Sequence, residues 1–388
     1  SSKFESLKFG CIVMTQTLNT LDLFSGVGGL SSGFEQTGFK ILAALDYKPE
    51  AVETYRYNHP DTKVILRNIR KTTVNQILTQ TNTTVNDIDV IIGGPPCEGF
   101  STVGYRRPED PRNSLFYEFA RFVEEVHPKA FVIENVVGLL SMNQGKIIKQ
   151  VLDFITIELR YQPTLQVLNA IDYGIPQLRK RVFIVALKDR RRFTFPPATH
   201  RERSPQQRLP VPQNAEQHYL TVKDAISDLP SLNPGEGAEE QAYPTPPNTA
   251  YQRARRKGSE TLFDHLAINH SKLIRQRIHL IPQGGNHADL PTNLQLKSGY
   301  PNIYGRLVWN HPSSTLTGNC GCVSAPGRFI HPLDDRVLTV REAARIQSFD
   351  DRYRFFGSRA TKYKLIGDAV PPLLAHALAK QLRTYLRG

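Results

Sequence analysis

The stretch DVIIGGPPCEGFSTVG, residues 89–104, brings an apolar run to two glycines, two prolines and a thiol at Cys97. Pro95 and Pro96 fix their own φ angles and stiffen the loop carrying the cysteine, while Gly94 and Gly99 allow close approach of another molecule. A thiol there is either a nucleophile, which needs a positive neighbourhood to ionise, or a small apolar residue packed in a core. A second apolar run, FVIEN, closes on Glu134 and Asn135. A carboxyl behind Phe131, Val132 and Ile133 should be desolvated and keep its proton, so it can donate to a ring nitrogen; a helix cap is the other reading. In QLRKR, the residues Gln177, Arg179 and Arg181 alternate. Alternation puts them on one strand face, suited to phosphate or carbonyl recognition or else to a solvated sheet edge.

A fourth stretch, LDLFSGVGGLSSGFEQTG from Leu21 to Gly38, ends a strand in a glycine turn and opens a helix. Gly26, Gly28 and Gly29 spell G-x-G-G, a turn that admits a nucleotide-like ligand or simply packs strand against helix. Asp46 ends the next strand, followed by Tyr47. A carboxylate there can accept both hydroxyls of a ribose, or begin the following helix, and the tyrosine ring can pack on a base.

These side chains need a frame, and the apolar pattern supplies one. Six β-like runs are legible: NTLDLFS, KILAALD, VNDIDVIIGG, KAFVIEN, LQVLNAID and RVFIVALK. Helical spacing links Leu115, Phe119, Phe122, Val123 and Val126, and again Ile148, Val151, Leu152, Ile155 and Leu159. Continuous apolar strands alternating with amphipathic helices predict an α/β, doubly wound, Rossmann-like and largely parallel sheet.

That regularity stops after Lys188. DRRRFTFPPATHRERSPQQRLPVPQ and LPSLNPGEGAEEQAYPTPPN are rich in breakers and interleaved with basic groups such as RARRKG. LTVREAARIQSF and PPLLAHALAKQLRTYL then return to helix, with Leu373, Leu374, Ala377 and Leu378 free to pack. The expected division is 15–190 for the large domain, 191–335 for a smaller irregular basic domain inserted before the C-terminal helices, and 336–388 returning to the large domain. The formal net charge of +13 over 388 residues suits a polyanionic partner, nucleic acid first. No apolar run approaches the roughly 20 residues that span a bilayer, and the N-terminal residues lack a secretory core. The four cysteines show neither zinc spacing nor a disulfide framework. A cytoplasmic protein without a membrane partner is expected.

In order along the chain, DLFSGVGG, GGPPCEGFS, ENV, QLRKR, LTVREAARIQSF and GDAVPP resemble the motifs of the cytosine-5 DNA methyltransferase family. The resemblance covers almost the whole chain. It implies S-adenosyl-L-methionine as cofactor, S-adenosyl-L-homocysteine as product, double-stranded DNA as substrate, and a target-recognition region in the irregular segment. It also implies roles. Cys97 would be the nucleophile, Glu134 the partner of the cytosine edge, and Arg181 a contact to the base carbonyl with Arg179 close by. Phe24, Gly26, Gly28, Gly29, Asn68, Ile69, Pro96 and Leu115 would line the cofactor site, with Asp46 on the ribose and Tyr47 against the adenine. Asp368, Ala369 and Val370 of GDAVPP would lie near the methionine end. Two positions depart from the family pattern: Glu98 stands where glutamine is common, and Asp368 where asparagine is common.

The implied chemistry is covalent. A thiolate adds to carbon 6 of a flipped cytosine, which turns the ring into an enamine able to take a methyl group at carbon 5. The same motifs leave room for an RNA (tRNA) cytosine-5 methyltransferase or a catalytically impaired DNA-binding relative, and the glycine turn alone for a dinucleotide-dependent oxidoreductase. A monomer is expected, and a cognate restriction endonuclease is the partner such a modification enzyme would have.

Overall fold

The computed structural model describes residues 17–96, 114–202, 217–296 and 300–387. Its centre is a seven-stranded sheet in the order β3-β2-β1-β4-β5-β7-β6. The strands are β1 (Leu18–Leu23), β2 (Phe39–Asp46), β3 (Lys63–Leu66), β4 (Val90–Gly93), β5 (Ala130–Val136), β6 (Gln162–Asn169) and β7 (Lys180–Leu187). β1 to β5 run parallel, whereas β7 pairs antiparallel with both β5 and β6. The doubly wound sheet is thus as expected, with an antiparallel end that apolar pattern alone does not encode.

Alternate strand residues feed two apolar layers. Ile91, Phe131, Ile133 and Ile184 face one core with Phe119 and Phe122 of α4 (Ser114–Val126) and Ile155 of α5 (Lys146–Ile157). Val90, Ile92, Val132, Phe183 and Val185 face the other, with Leu30 and Phe34 of α1 (Gly29–Glu35) and Leu374, Leu378 and Leu382 of α11 (Pro372–Leu386). Glycine at position 33 lets α1 and α11 touch: a Cβ there would lie 2.3 Å from the His376 backbone nitrogen. Flanking the sheet are also α2 (Pro49–Asn58) and α3 (Val74–Thr81).

The 191–335 stretch divides into two packed parts. The short strands β8 (His200–Arg201) and β9 (Gln217–His218) lead into α6 (Val222–Ile226), β10 (Gly237–Ala242), α7 (Ala250–Arg256) and β11 (Thr261–Leu266). α6, α7 and β11 share a core with α9 (Val340–Ile346) and α10 (Arg359–Asp368). Three fully buried arginines of this region have carboxylate partners. Arg345 binds Asp228 and Asp351, Arg336 binds Asp334 and Glu342, and Arg341 lies 3.6 Å from Asp264. Burying such charges demands partners of this kind, because an uncompensated ion in a core costs several kcal/mol. A separate, smaller core joins Ile278 of α8 (Lys272–Leu280) to Ile303, Tyr304, Val323, Ile330 and Val337, around β12 (Gly305–Arg306) and β13 (Arg328–Ile330).

Candidate active site

The order of the sheet reverses between β1 and β4, and the site residues gather at the carboxyl ends of these strands and their neighbours, where open α/β sheets bind ligands. After β1 the chain turns through Phe24, Gly26 and Gly28, all at positive φ (59°, 54° and 86°). Phe24 is a strained non-glycine in that region. The three glycines have different jobs. A Cβ on Gly26 would meet nothing within 4 Å, one on Gly28 would meet His59 Nε2 at 2.5 Å, and one on Gly29 would meet the Val370 carbonyl oxygen at 2.2 Å. Only Gly26 faces open space; Gly28 and Gly29 are small so that His59 and the GDAVPP loop can pack.

Asp46, at the end of β2, steadies this turn. Its Oδ2 accepts the Gly26 N–H and its Oδ1 the Lys48 N–H, each at 2.9 Å. A cavity opens beside it, lined by Phe24, Leu45, Asp46, Tyr47, Arg67, Asn68, Ile69, Arg70, Pro96 and Leu115. Seven of these ten are residues singled out in the sequence; Leu45, Arg67 and Arg70 are not. Tyr47 leaves 60% of its surface to solvent at the cavity edge. Asn68 uses its Oδ1 to accept the Arg70 N–H at 3.0 Å, capping the 3-10 turn of residues 69–71.

Beneath the turn lies a feature that motif reading passed over. Asp22 of β1 is 1% exposed, and Ser31 of α1 donates to its Oδ2 at 2.5 Å while Tyr55 donates to Ser31 at 2.6 Å. Its Oδ1 has no partner. Burial pushes its carboxyl up to about 8, against the Ser31 hydrogen bond. The alternation of β1 was its only signal: Asp22 shares a face with Thr20 and Leu18, which turns it inward.

β4 and β5 bring the second group together. β4 ends at Gly93, and a Cβ on Gly94 would come 3.2 Å from Glu134 Oε2, so the glycine leaves room for that carboxyl. Asn135 donates through Nδ2 to the Pro95 carbonyl at 2.9 Å, tying β5 to the loop that leads to position 97. Cys97 and Glu98 themselves lie outside the described residues. Arg181 sits opposite Val136 in the β5–β7 ladder, diagonal to Glu134 on the same face. Its Nε lies 3.1 Å from Glu134 Oε1. Burial holds the Glu134 carboxyl above the usual range even so, with Arg181 and Arg179 pulling the other way, in line with the desolvation expected from its sequence.

Arg179 departs from its expected surroundings. It precedes β7, is wholly buried, and donates through Nη1 to the Leu316 carbonyl at 2.9 Å and through Nη2 to those of Gly367 and Ala369 at 2.8 and 3.0 Å. Burial, reinforced by the Arg181 charge, pushes its guanidinium down to about 9. Gln177 is buried beside it, donating to Gln347 Oε1 at 2.6 Å and accepting the Leu316 N–H at 3.0 Å. Alternation does not carry through QLRKR as one exposed face: Arg181 alone of the three lies within β7. Arg179 instead straps the GDAVPP loop, and with it Ala369 and Val370, against the glycine turn, while Gln177 reaches it only through Gln347, which donates to the Ala369 carbonyl at 2.7 Å. Asp368 points to Lys364 and Lys48.

Comparison with known proteins accords with this arrangement. Residues 18–384 match the family model of the C-5 cytosine-specific DNA methylases. The chain is 40% identical to the Type II methyltransferase M.DdeI of Desulfomicrobium norvegicum, an alignment covering 96% of this chain and 90% of that protein. It is 36% identical to the Type II methyltransferase M.AgeI of Thalassovita gelatinovora, covering 94% and 99%. Among solved structures, it is similar to a protein described as a DNA modification methyltransferase encoded within an E. coli prophage, with a TM-score of 0.73, 27% identity, and coverage of 96% of this chain and 100% of that one. With its motifs in order, its strand ends converging on one cleft and the family model spanning nearly its whole length, the chain belongs to the C-5 cytosine-specific DNA methyltransferases, which act on DNA with S-adenosylmethionine as cofactor.

Proposed function

We propose that this enzyme flips one cytosine out of a specific short duplex sequence and methylates it through a covalent adduct with Cys97. The observation that carries the reading is Glu134: a carboxyl that burial shifts toward its protonated form, paired with Arg181 at 3.1 Å and abutting Gly94, three residues before the cysteine. The cleft fits the cofactor. The apolar walls of Phe24, Ile69, Pro96 and Leu115 suit a purine, Asp46 offers carboxylate lone pairs to a ribose, and Gly26 leaves open space over the turn. When bound, S-adenosylmethionine supplies the electrophilic methyl group that carbon 5 takes up.

The remaining steps fall to the chain. The Cys97 thiolate bonds to carbon 6, and the displaced π electrons are stabilised as Glu134 gives its proton to ring nitrogen 3. Arg181 holds the Glu134 carboxyl in place and donates to the ring carbonyl. After methylation a base takes the carbon 5 proton, the 5,6 double bond re-forms, the nitrogen 3 proton returns to Glu134, and the thiolate leaves. Arg179 positions the GDAVPP loop rather than touching the base. Residues 191–335 act as the target-recognition region, with the exposed Lys272 and Arg275 of α8 among its phosphate contacts. The enzyme works as a monomer in the cytoplasm; that a restriction endonuclease of the same specificity accompanies it is a reading supported by its likeness to Type II methyltransferases.

Labelled S-adenosylmethionine and mixed-sequence duplex DNA, followed by bisulfite mapping, test this. Label at cytosines of one short context, abolished in Cys97→Ser, is the expected result. Transfer retained in that variant, or label in tRNA but not DNA, would sink the proposal.

A further inference from the structure

The glycine turn after β1 has a back as well as a front. At the front, Asp46 accepts the Gly26 N–H and the Leu45 carbonyl accepts the Ser25 N–H at 3.1 Å; both acceptors belong to residues that line the cofactor cleft. At the back, two hydroxyls hold two consecutive carbonyls of the turn. Tyr353, between α9 and α10, donates to the Val27 carbonyl, and Ser32 of α1 donates to that of Gly28 at 2.9 Å. Burial pushes the Tyr353 hydroxyl well above its ordinary value, so it keeps the proton it donates.

His59, at the end of α2, meets both hydroxyls. Its Nε2 lies 2.9 Å from the Tyr353 oxygen and 3.4 Å from that of Ser32. The same nitrogen would stand 2.5 Å from a Cβ on residue 28, so the ring itself requires glycine there. Each hydroxyl gives its one proton to a carbonyl, so toward His59 it can only accept, and Nε2 must donate. Nδ1 faces Glu35 Oε2 at 2.7 Å, and a carboxylate only accepts, so Nδ1 donates too. The ring therefore carries both protons. Tyr55 stacks on it at 4.3 Å with its own hydroxyl turned to Ser31. Glu35, His59 and Tyr353 border a cavity of about 470 Å³ that shares no lining residue with the cofactor cleft. The other charged groups on its wall are engaged: Asp350 lies 3.0 Å from Arg255 and 3.9 Å from Arg352. A buried ion pair adds little net stability; what Glu35 and His59 fix is the direction in which two hydroxyls donate.

We propose that His59, braced by Glu35, is a positioning residue for cofactor binding: it turns Tyr353 and Ser32 toward the Val27 and Gly28 carbonyls and so sets the glycine turn against the cleft. This rests on the S-adenosylmethionine reading above. Phe24, Gly26 and Gly28 all stand at positive φ, and backbone of that kind persists where its surroundings over-determine it.

Calorimetry with S-adenosylhomocysteine tests this in Tyr353→Phe, which removes one hydroxyl and keeps the ring against Phe349 and Phe355. The variant should bind about fivefold more weakly, and its loss in turnover should fall on KM for S-adenosylmethionine more than on kcat. His59→Leu should show a similar loss, and the double variant no more than the larger single one, because the groups act in one relay. In wild-type protein carrying nitrogen-15 histidine, the ring signals that vanish in His59→Leu should come from two protonated nitrogens. Wild-type affinity in Tyr353→Phe, additive losses in the double variant, or a His59 ring with one bare nitrogen would overturn the proposal while leaving the cofactor assignment standing. Wild-type protein that failed to bind S-adenosylhomocysteine would overturn both.

Discussion

Arg179 and Arg181 stand two residues apart in one motif, yet removing them should have opposite signatures. Arg179 is buried and makes three charge-assisted hydrogen bonds to the carbonyls of Leu316, Gly367 and Ala369. Bonds to a charged group contribute about 1.5–3 kcal/mol each, against several kcal/mol of desolvation for the buried guanidinium. The net loss in Arg179→Ala is therefore about 3 kcal/mol, roughly a 4 °C fall in melting temperature for a chain of this length. S-adenosylhomocysteine affinity should fall with it, because the freed loop packs on Gly29. Arg181 makes one ion pair with Glu134 and a bond to its neighbour's carbonyl. Arg181→Ala should keep cofactor affinity, while methyl transfer collapses. Scanning fluorimetry, calorimetry and a methyl-transfer assay on both variants decide it. An Arg179→Ala protein with wild-type melting and cofactor affinity but no activity would refute the strap and return Arg179 to the substrate.

Other consequences are equally open to measurement. Glu134→Gln keeps the shape but cannot protonate nitrogen 3, so kcat should fall by about 10²–10⁴-fold with DNA affinity, read by fluorescence anisotropy, nearly unchanged; a small rate loss would remove Glu134 from the chemistry. Gly33→Ala forces a Cβ onto the His376 backbone and should cost about 1–3 kcal/mol without changing cofactor affinity. Gly26→Ala, with open space around it but φ at 54°, should cost about 1–2 kcal/mol of backbone strain and, unlike Gly33→Ala, also weaken S-adenosylhomocysteine in calorimetry. Asp22, whose folded carboxyl sits near 8 against an ordinary value of 3.8, keeps its proton in the folded state across a window where the unfolded chain has lost it. Its contribution is thus fullest below pH 4 and declines as pH rises toward 8. Asp22→Asn should flatten the wild-type fall in melting temperature between pH 6 and pH 8, a window taken from that shift; identical slopes would contradict it.

What could be read in the sequence was whatever local pattern encodes. β1, β2, β4 and β5 are apolar runs ending in polar or glycine residues, so strand, turn and site residue were visible together. Asp46, Asn68 and Leu115 were legible through motif position and do meet at one cavity. β3 is four residues long, too short for its period to register, and the antiparallel course of β7 leaves no trace in an apolar pattern. α10 was missed because Tyr363, Leu365 and Ile366 form no helical stripe; they are buried because other elements surround them. Arg179 looked like its neighbour Arg181 because its partners lie 137 to 190 residues further on. The charge of Asp368 was visible, but not Lys48, which meets it from the turn after β2.

Covalent attack by Cys97 is the central claim, and intact-mass spectrometry on a protein–DNA complex tests it most directly. Duplex DNA carrying 5-fluorocytosine at the mapped target, incubated with the enzyme and S-adenosylmethionine, offers no proton at carbon 5 for the base to remove, so the thiolate cannot leave. The account predicts a stable species with the summed mass of enzyme, DNA and one methyl group, absent with Cys97→Ser. Wild-type enzyme that methylates ordinary DNA yet forms no such species, or a Cys97→Ser variant that forms it, would contradict the account.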